Sequence, residues 1–186
     1  MSTGPSTEVD RSASPDEMAT VRLVIELRPM RLEDVELLER WDEDPDVAAS
    51  GGDDDWYDWP LELARGELPW RELLIAEEDG RPVGFVQLID AVEEESHYWG
   101  EDAPAGAWAI DIWIGSPGDR GRGLGAEMMR QALTRCFEDH RASEVVIDPL
   151  ASNDRAIPFY ERLGFEFVEA RDFGDDHCLV YRCPRP

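Results

Sequence analysis

The sequence predicts an α/β protein, a mixed β-sheet with helices on both faces. Three observations carry that expectation. Ala107 to Gly115 is rich in Ile and Trp, as strands are, and runs toward a glycine-rich turn that opens a helix, after which Glu144 to Asp148 supplies another strand. Upstream, Glu72 to Glu78 and Arg81 to Ile89 read as two strands joined by Asp79-Gly80, a hairpin signal. The chain has 186 residues, 42% of them hydrophobic, enough for one domain with a sizeable core, expected over residues 21–186.

The elements follow in order. Met1 to Thr20 is rich in Ser, Thr, Pro and charge and is expected to be a disordered tail; it lacks the apolar centre of a signal peptide, so a cytoplasmic location is expected. Val21 to Arg28 alternates through Leu23, Ile25 and Leu27 as a first strand. Leu32 to Trp41 places Leu32, Val35, Leu38 and Trp41 on one helical face, with Asp34 and Glu36 near its start. Asp42 to Pro60 mixes acids with Trp56, Tyr57 and Trp59 around Gly51-Gly52; it is either a functional loop or short helical lid over a cationic ligand, or core aromatics beside a solvated acidic face. Leu61 to Leu68 reads as a short helix. Asp90 to Pro104 is a second acidic connection, carrying Tyr98, Trp99, Glu101 and Asp102 into the strand that holds Asp111, so it is expected to overhang the same cleft. From Leu124 onward Met128, Ala132, Leu133 and Cys136 recur at helical spacing. A further helix surrounds Tyr160. Phe165 to Val168 and Cys178 to Arg182 complete the sheet, with Gly174-Asp175-Asp176 between them.

Composition excludes several classes. The formal net charge is −25, all 18 basic residues are Arg and Lys is absent, so nucleic acid and anionic membranes should be repelled and cations attracted. Either an amine-rich substrate or a high-salt cytoplasm, the habitat of a halophile, explains such acidity. No apolar run is long enough to cross a membrane. Cys136, Cys178 and Cys183 lack metal spacing, and His97, His140 and His177 are scattered, so no metal site is expected.

The segment Asp119-Arg120-Gly121-Arg122-Gly123-Leu124-Gly125-Ala126 is the chemically loaded one. Read alone it is either an anion site, where glycines let the backbone approach a ligand, free N–H groups open a helix and Arg120 and Arg122 add positive charge, or a glycine-rich turn that just reverses the chain. It is not a Walker loop, because no Gly-Lys-Ser/Thr follows.

Strand, Arg-x-x-Gly-x-Gly loop, helix, strand, then Asn153-x-x-Ala156-Ile157-x-x-Tyr160-x-x-x-Gly164-Phe165: in that order the chain, from roughly Leu27 to Tyr181, resembles the GNAT N-acetyltransferases. Within them it is similar to the aminoglycoside 6'-N-acetyltransferases through Ile110-Asp111, Gly123-Leu124-Gly125, Asp148-Pro149 and Ser152-Asn153-x-Arg155-Ala156-Ile157. The resemblance implies a GNAT fold whose two central strands splay apart. It implies acetyl-CoA as cofactor, with pyrophosphate on the loop from Gly121 to Gly125 and on Arg120 and Arg122, with pantetheine along Ile112, Trp113 and Ile114, and with Asn153 touching the cofactor. It implies Tyr160 as general acid toward the CoA sulfur and Asp111 as base or orienter of a primary amine. Asp148, Trp99, Glu101 and Asp102 would meet an amino sugar. Where those enzymes have a Trp-Trp-Gly-Gly substrate wall this chain has Ala49-Ser50-Gly51-Gly52, so Trp56 or Trp59 would have to substitute.

Bland alternatives stand beside these roles: Tyr160 as a core aromatic, Asp111 and Asp148 as caps of backbone groups, Asn153 as a helix cap. The expected partner is a cationic small-molecule amine, in a monomer or homodimer. A protein N-terminus, a polyamine or a siderophore precursor as acceptor, or a non-catalytic acyl-CoA-binding regulator, are the other functions such a chain could have.

Overall fold

The computed structural model describes residues 24–51, 57–100 and 103–186; the expected tail, Trp56, Glu101 and Asp102 lie outside them. Seven strands form one sheet in the order β1-β2-β3-β4-β5-β7-β6. They are β1 Ile25–Pro29, β2 Arg71–Glu78, β3 Arg81–Asp90, β4 Ala107–Ile114, β5 Glu144–Ile147, β6 Glu166–Phe173 and β7 Asp176–Pro184. All neighbours are antiparallel except β4 and β5, whose parallel pairing requires a crossover helix between them. That helix is α4, Leu124–Glu138.

Alternation along β3 sorts the two faces. Val86 and Leu88 look toward α4, where Leu124, Met128, Met129, Ala132 and Cys136 are buried against them. Phe85 looks the other way and packs with Ile75, Val35, Leu38, Trp41 and Trp59, residues of β2, α1 (Val35–Asp42) and α3 (Trp59–Ala64). Each such buried side chain contributes about 1.5–3 kcal/mol through removal of apolar surface from water. Helices therefore cover both faces, with α2 (Pro45–Gly51) following α1 and α5 (Ala156–Arg162) lying beyond β5. No helix among the described residues is long and apolar enough to cross a membrane.

Three expected elements are redrawn. The first strand starts at Ile25, with 21–23 outside the described residues. The helix expected from Leu32 begins as a 3₁₀ turn, Leu32–Asp34, because the Asp34 carboxylate is tied back to the Arg31 N–H at 2.7 Å and to Arg28 by two bonds of 2.7 Å. Burial raises the pKa of Asp34, but the bonds from Arg28 and Arg31 outweigh it and hold the carboxyl below its usual range. The last two strands form a longer hairpin than expected. Residues Glu169 to Phe173 carry no apolar alternation because β6 is an edge strand exposed over most of its length.

One glycine fixes how α1 meets the sheet. At Gly115, just past β4, a Cβ would lie 2.0 Å from the Trp41 ring, so the indole of α1 closes directly on the backbone that leads into the glycine-rich loop.

Candidate active site

The strands β4 and β5 part company midway. Their pairing ends at Ala109 and Val146, whereas β3 stays paired to β4 as far as Ile114. The edge of β4 from Asp111 to Ile114 therefore faces a cleft instead of a strand. The cleft has a volume of about 1540 Å³. A single small-molecule site takes roughly 300–1,000 Å³, so this one has room for two ligands at once. Ile112, Trp113 and Ile114 form one side. Ile147, Asp148, Leu150, Asn153, Phe159 and Tyr160 form the other, and Cys178 of β7 is also at the wall.

One end of the cleft is the glycine-rich loop. A 3₁₀ turn, Pro117–Asp119, precedes it, and Gly121 (φ 73°) and Gly123 (φ 85°) take left-handed conformations that side chains disfavour. Gly123 is the N-cap of α4, so the unpaired N–H groups of the first helical turn and the helix dipole are presented there. Gly121, Gly123, Leu124, Gly125 and Arg120 all line the cleft. Arg120 is held by Asp44 and Asp46, each at 2.6 Å, and Arg155 reaches Asp46 at 3.3 Å. The bond from Arg120 pulls Asp44 below the usual carboxylate range.

Arg122, expected beside Arg120, is elsewhere. Its guanidinium bonds Glu78 at 2.7 Å and Asp119, at the margin of the cleft, at 2.8 Å. Asp119 is buried and also takes two bonds of 2.8 Å from Arg81. Arg81 foremost, then Arg122, holds the Asp119 carboxyl below its usual range against the opposing effect of burial. Arg122 thus fastens the back of the loop to the β2–β3 hairpin. The two left-handed glycines on either side of it turn its side chain away from that of Arg120.

Tyr160 lies on α5, whose Pro158 sits in the first turn where its missing N–H costs nothing. The Asn153 Oδ1 accepts the Ala156 N–H at 3.2 Å, so Asn153 holds the turn that leads into this helix, whose N-cap is Arg155, as well as lining the cleft. Burial pushes the Tyr160 phenol above its ordinary pKa, and the negative charges of Asp111 and Asp148 push it further. The phenol is therefore a proton donor, and both carboxylates are near enough to act on it.

Asp111 stands opposite Gln87 in the β3–β4 register, and the Gln87 Nε2 donates to it at 3.3 Å and to the Tyr57 hydroxyl at 3.4 Å. Asp148 accepts the Tyr98 hydroxyl at 2.5 Å, and the Tyr98 ring stacks on Phe173 at 4.4 Å. The acidic connection after β3 is therefore pinned over the Asp148 side of the cleft. Buried Glu94 shapes it by accepting the Ser96 N–H and hydroxyl at 2.6 and 2.7 Å and the Tyr98 N–H. Trp99 lines the cleft but is only 5% exposed, packed on Ala91, Ala107 and Val146.

Trp59 does not form a substrate wall. It is 1% exposed in the aromatic core with Phe85 at 5.1 Å and Trp113 at 6.2 Å, and its indole N–H bonds Asp42 at 2.5 Å. An acid-and-aromatic run reads the same whether its rings face a ligand or the core. Among the residues not singled out from sequence, Gln87 had a signal, a polar residue inside the apolar run Val86 to Ile89. Phe173 and Arg71 had none.

Comparison with known proteins agrees with this geometry. The family described as "Acetyltransferase (GNAT) domain" matches residues 31–173. An "Aminoglycoside N(6')-acetyltransferase type 1" of Klebsiella pneumoniae is 34% identical over 92 residues, 50% of this chain and 46% of that protein, so the chain spans about half the length of that curated relative. A "Kanamycin resistance protein" of Rhizobium radiobacter is 34% identical over 73 residues, 39% of this chain and 68% of that protein. The solved structure of AAC(6')-Ib with paromomycin and acetyl-CoA is 26% identical, with a TM-score of 0.76, covering 87% of this chain and 93% of that one. The extent of the family match, together with a sheet parted beside a glycine-rich helix start, makes this chain a member of the GNAT acetyltransferase family.

Proposed function

We propose that the protein transfers an acetyl group from acetyl-CoA directly to a primary amine of a cationic small molecule, an aminoglycoside at its 6'-amino group. The observation that carries this reading is the convergence of a half-buried phenol, Tyr160, and two carboxylates, Asp111 and Asp148, on a cleft that opens beside the glycine-rich helix start. The likeness to AAC(6')-Ib bound to paromomycin and acetyl-CoA supports both the cofactor and the acceptor.

The residues present fit acetyl-CoA. The N–H groups from Gly121 to Gly125, with Arg120, suit its pyrophosphate, and the freed edge of β4 from Asp111 to Ile114 offers the amide-bonding row that an added strand would use. When bound, acetyl-CoA supplies an activated acetyl thioester. Asp111 receives the acceptor's ammonium and orients it. A carboxylate lies several pKa units below an ammonium, so Asp111 takes the proton only where exclusion of water narrows that gap, or through a relayed water. Asp148 adds a second anionic contact for the acceptor. Tyr160 gives its proton to the departing sulfur, a task suited to a phenol that burial keeps protonated. Cys136 is no nucleophile: it lies on the buried face of α4 with its thiol pushed up to about 12 by burial.

The test is thiol release from acetyl-CoA with kanamycin, spermidine and a short peptide with a free N-terminus as acceptors. Release that depends on kanamycin, with a product heavier by one acetyl group, is expected. Turnover only with spermidine or the peptide would reassign the acceptor. CoA binding with no turnover on any of them would reduce the protein to an acyl-CoA-binding module.

A further inference from the structure

Among the described residues, three buried polar atoms of cleft-lining side chains lack a partner: the Nε1 of Trp113, within the aromatic core of Trp59 and Phe85, and the Nη2 of Arg71 and the Oε1 of Gln87. The Arg71 side chain is 6% and Gln87 3% exposed. Arg71 and Gln87 share a sheet face. Gln87 stands opposite Leu73, and Arg71 occupies the next same-face position of β2, so the two are diagonal neighbours, about 7–8 Å apart at Cα and within reach of long side chains.

The remaining atoms of each are committed. The Nη1 of Arg71 bonds Glu62, and its guanidinium lies over the Trp70 ring at 5.3 Å. The Nε2 of Gln87 donates to Asp111 and Tyr57, and turning the amide over would aim its oxygen at the Asp111 carboxylate. An unmatched donor and an unmatched acceptor thus sit on diagonal neighbours of one sheet face, too far apart to bond each other directly. Burying either unmatched is costly.

A hydroxyl answers both at once, its oxygen accepting from Arg71 and its proton going to Gln87. A carboxylate or phosphate would set a third acceptor against Oε1, and an ammonium would set a donor against Nη2. Charge agrees, since Arg65 and Arg71 are already balanced by Glu62 and Glu95. We propose that Arg71 and Gln87 bind a hydroxyl of the acceptor and make the site selective for hydroxylated amines over bare polyamines. Because Gln87 stands opposite Asp111, that hydroxyl belongs a few carbons from the amine that Asp111 receives. The inference rests on the proposed function only in taking the Asp111 end as the amine end.

The experiment measures calorimetric binding of kanamycin B and of its 3',4'-dideoxy derivative to the CoA-saturated protein. The two carry the same amines and differ in hydroxyls. The wild type is expected to bind kanamycin B on the order of 10–100-fold more tightly. That preference should vanish in the double variant Arg71→Met/Glu62→Gln, which removes the ion pair without stranding the glutamate, and in Gln87→Met. Equal affinities in the wild type would mean that an ordered water alone serves the pair and would overturn the proposal. So would a preference that survives in the variants, equal weakening of both compounds, or binding of neither. Hydroxyl-dependent binding without acetylation of kanamycin B would count against the proposed acceptor and leave this site standing.

Discussion

Burial and two nearby carboxylates keep the Tyr160 phenol protonated well beyond neutral pH, which is the state a general acid toward a thiolate needs. Because its pKa is raised, the donor form persists as pH climbs past about 10, where an ordinary tyrosine ionises. Tyr160→Phe should lower kcat by about 100-fold or more with little change in KM for acetyl-CoA, and the wild-type kcat should show no loss centred on that ordinary pH. A pH–rate profile of both proteins checks this. At this scale the sequence was legible where a residue broke a pattern. Asp111 stands out because a charge within an apolar strand needs a partner, which Gln87 provides. Arg122 and Trp59 stayed ambiguous because an arginine beside glycines, or a tryptophan among acids, looks the same whichever way it points. Only the backbone's path decides, and that path depends on Gly121 and Gly123 in one case and on Phe85 and Trp113 in the other.

At the scale of elements, the glycine-rich loop has a ligand side and an anchored side. Arg120 faces the cleft, and Arg122, with Arg81 and Asp119, ties the loop to the β2–β3 hairpin. Arg120→Ala should raise KM for acetyl-CoA by about tenfold, the value of one charge-assisted phosphate contact. Arg122→Ala should leave that KM within about twofold and lower the melting temperature by a few degrees. Steady-state kinetics alongside thermal unfolding separates the two. Strands with clear apolar patterns, such as β2, β3, β4 and β5, were readable to within a residue or so. The outer half of the β6–β7 hairpin was not, because an exposed edge strand has no buried face to impose a period.

For the whole molecule, acidity and architecture meet at the cleft. A net charge of −25 draws cations toward the protein, and the parted sheet sets Asp111 and Asp148 where an amine would meet Tyr160. The helix start supplies a positive end to hold an anion against that background. Order of elements and the parting of β4 from β5 were implied by resemblance to the family. The contacts that pin the Asp90–Pro104 connection, Tyr98 on Asp148 and Phe173, were not, because they join segments far apart in sequence. The central claim is that Asp111 prepares an amine for acetyl transfer in this cleft. Kanamycin-dependent thiol release by the wild type and by Asp111→Asn, measured side by side at saturating acetyl-CoA, tests it most directly. The account predicts a fall in kcat/KM for kanamycin of about 100-fold or more with acetyl-CoA affinity unchanged; equal rates in the two proteins, or thiol release that ignores the amine, would contradict it.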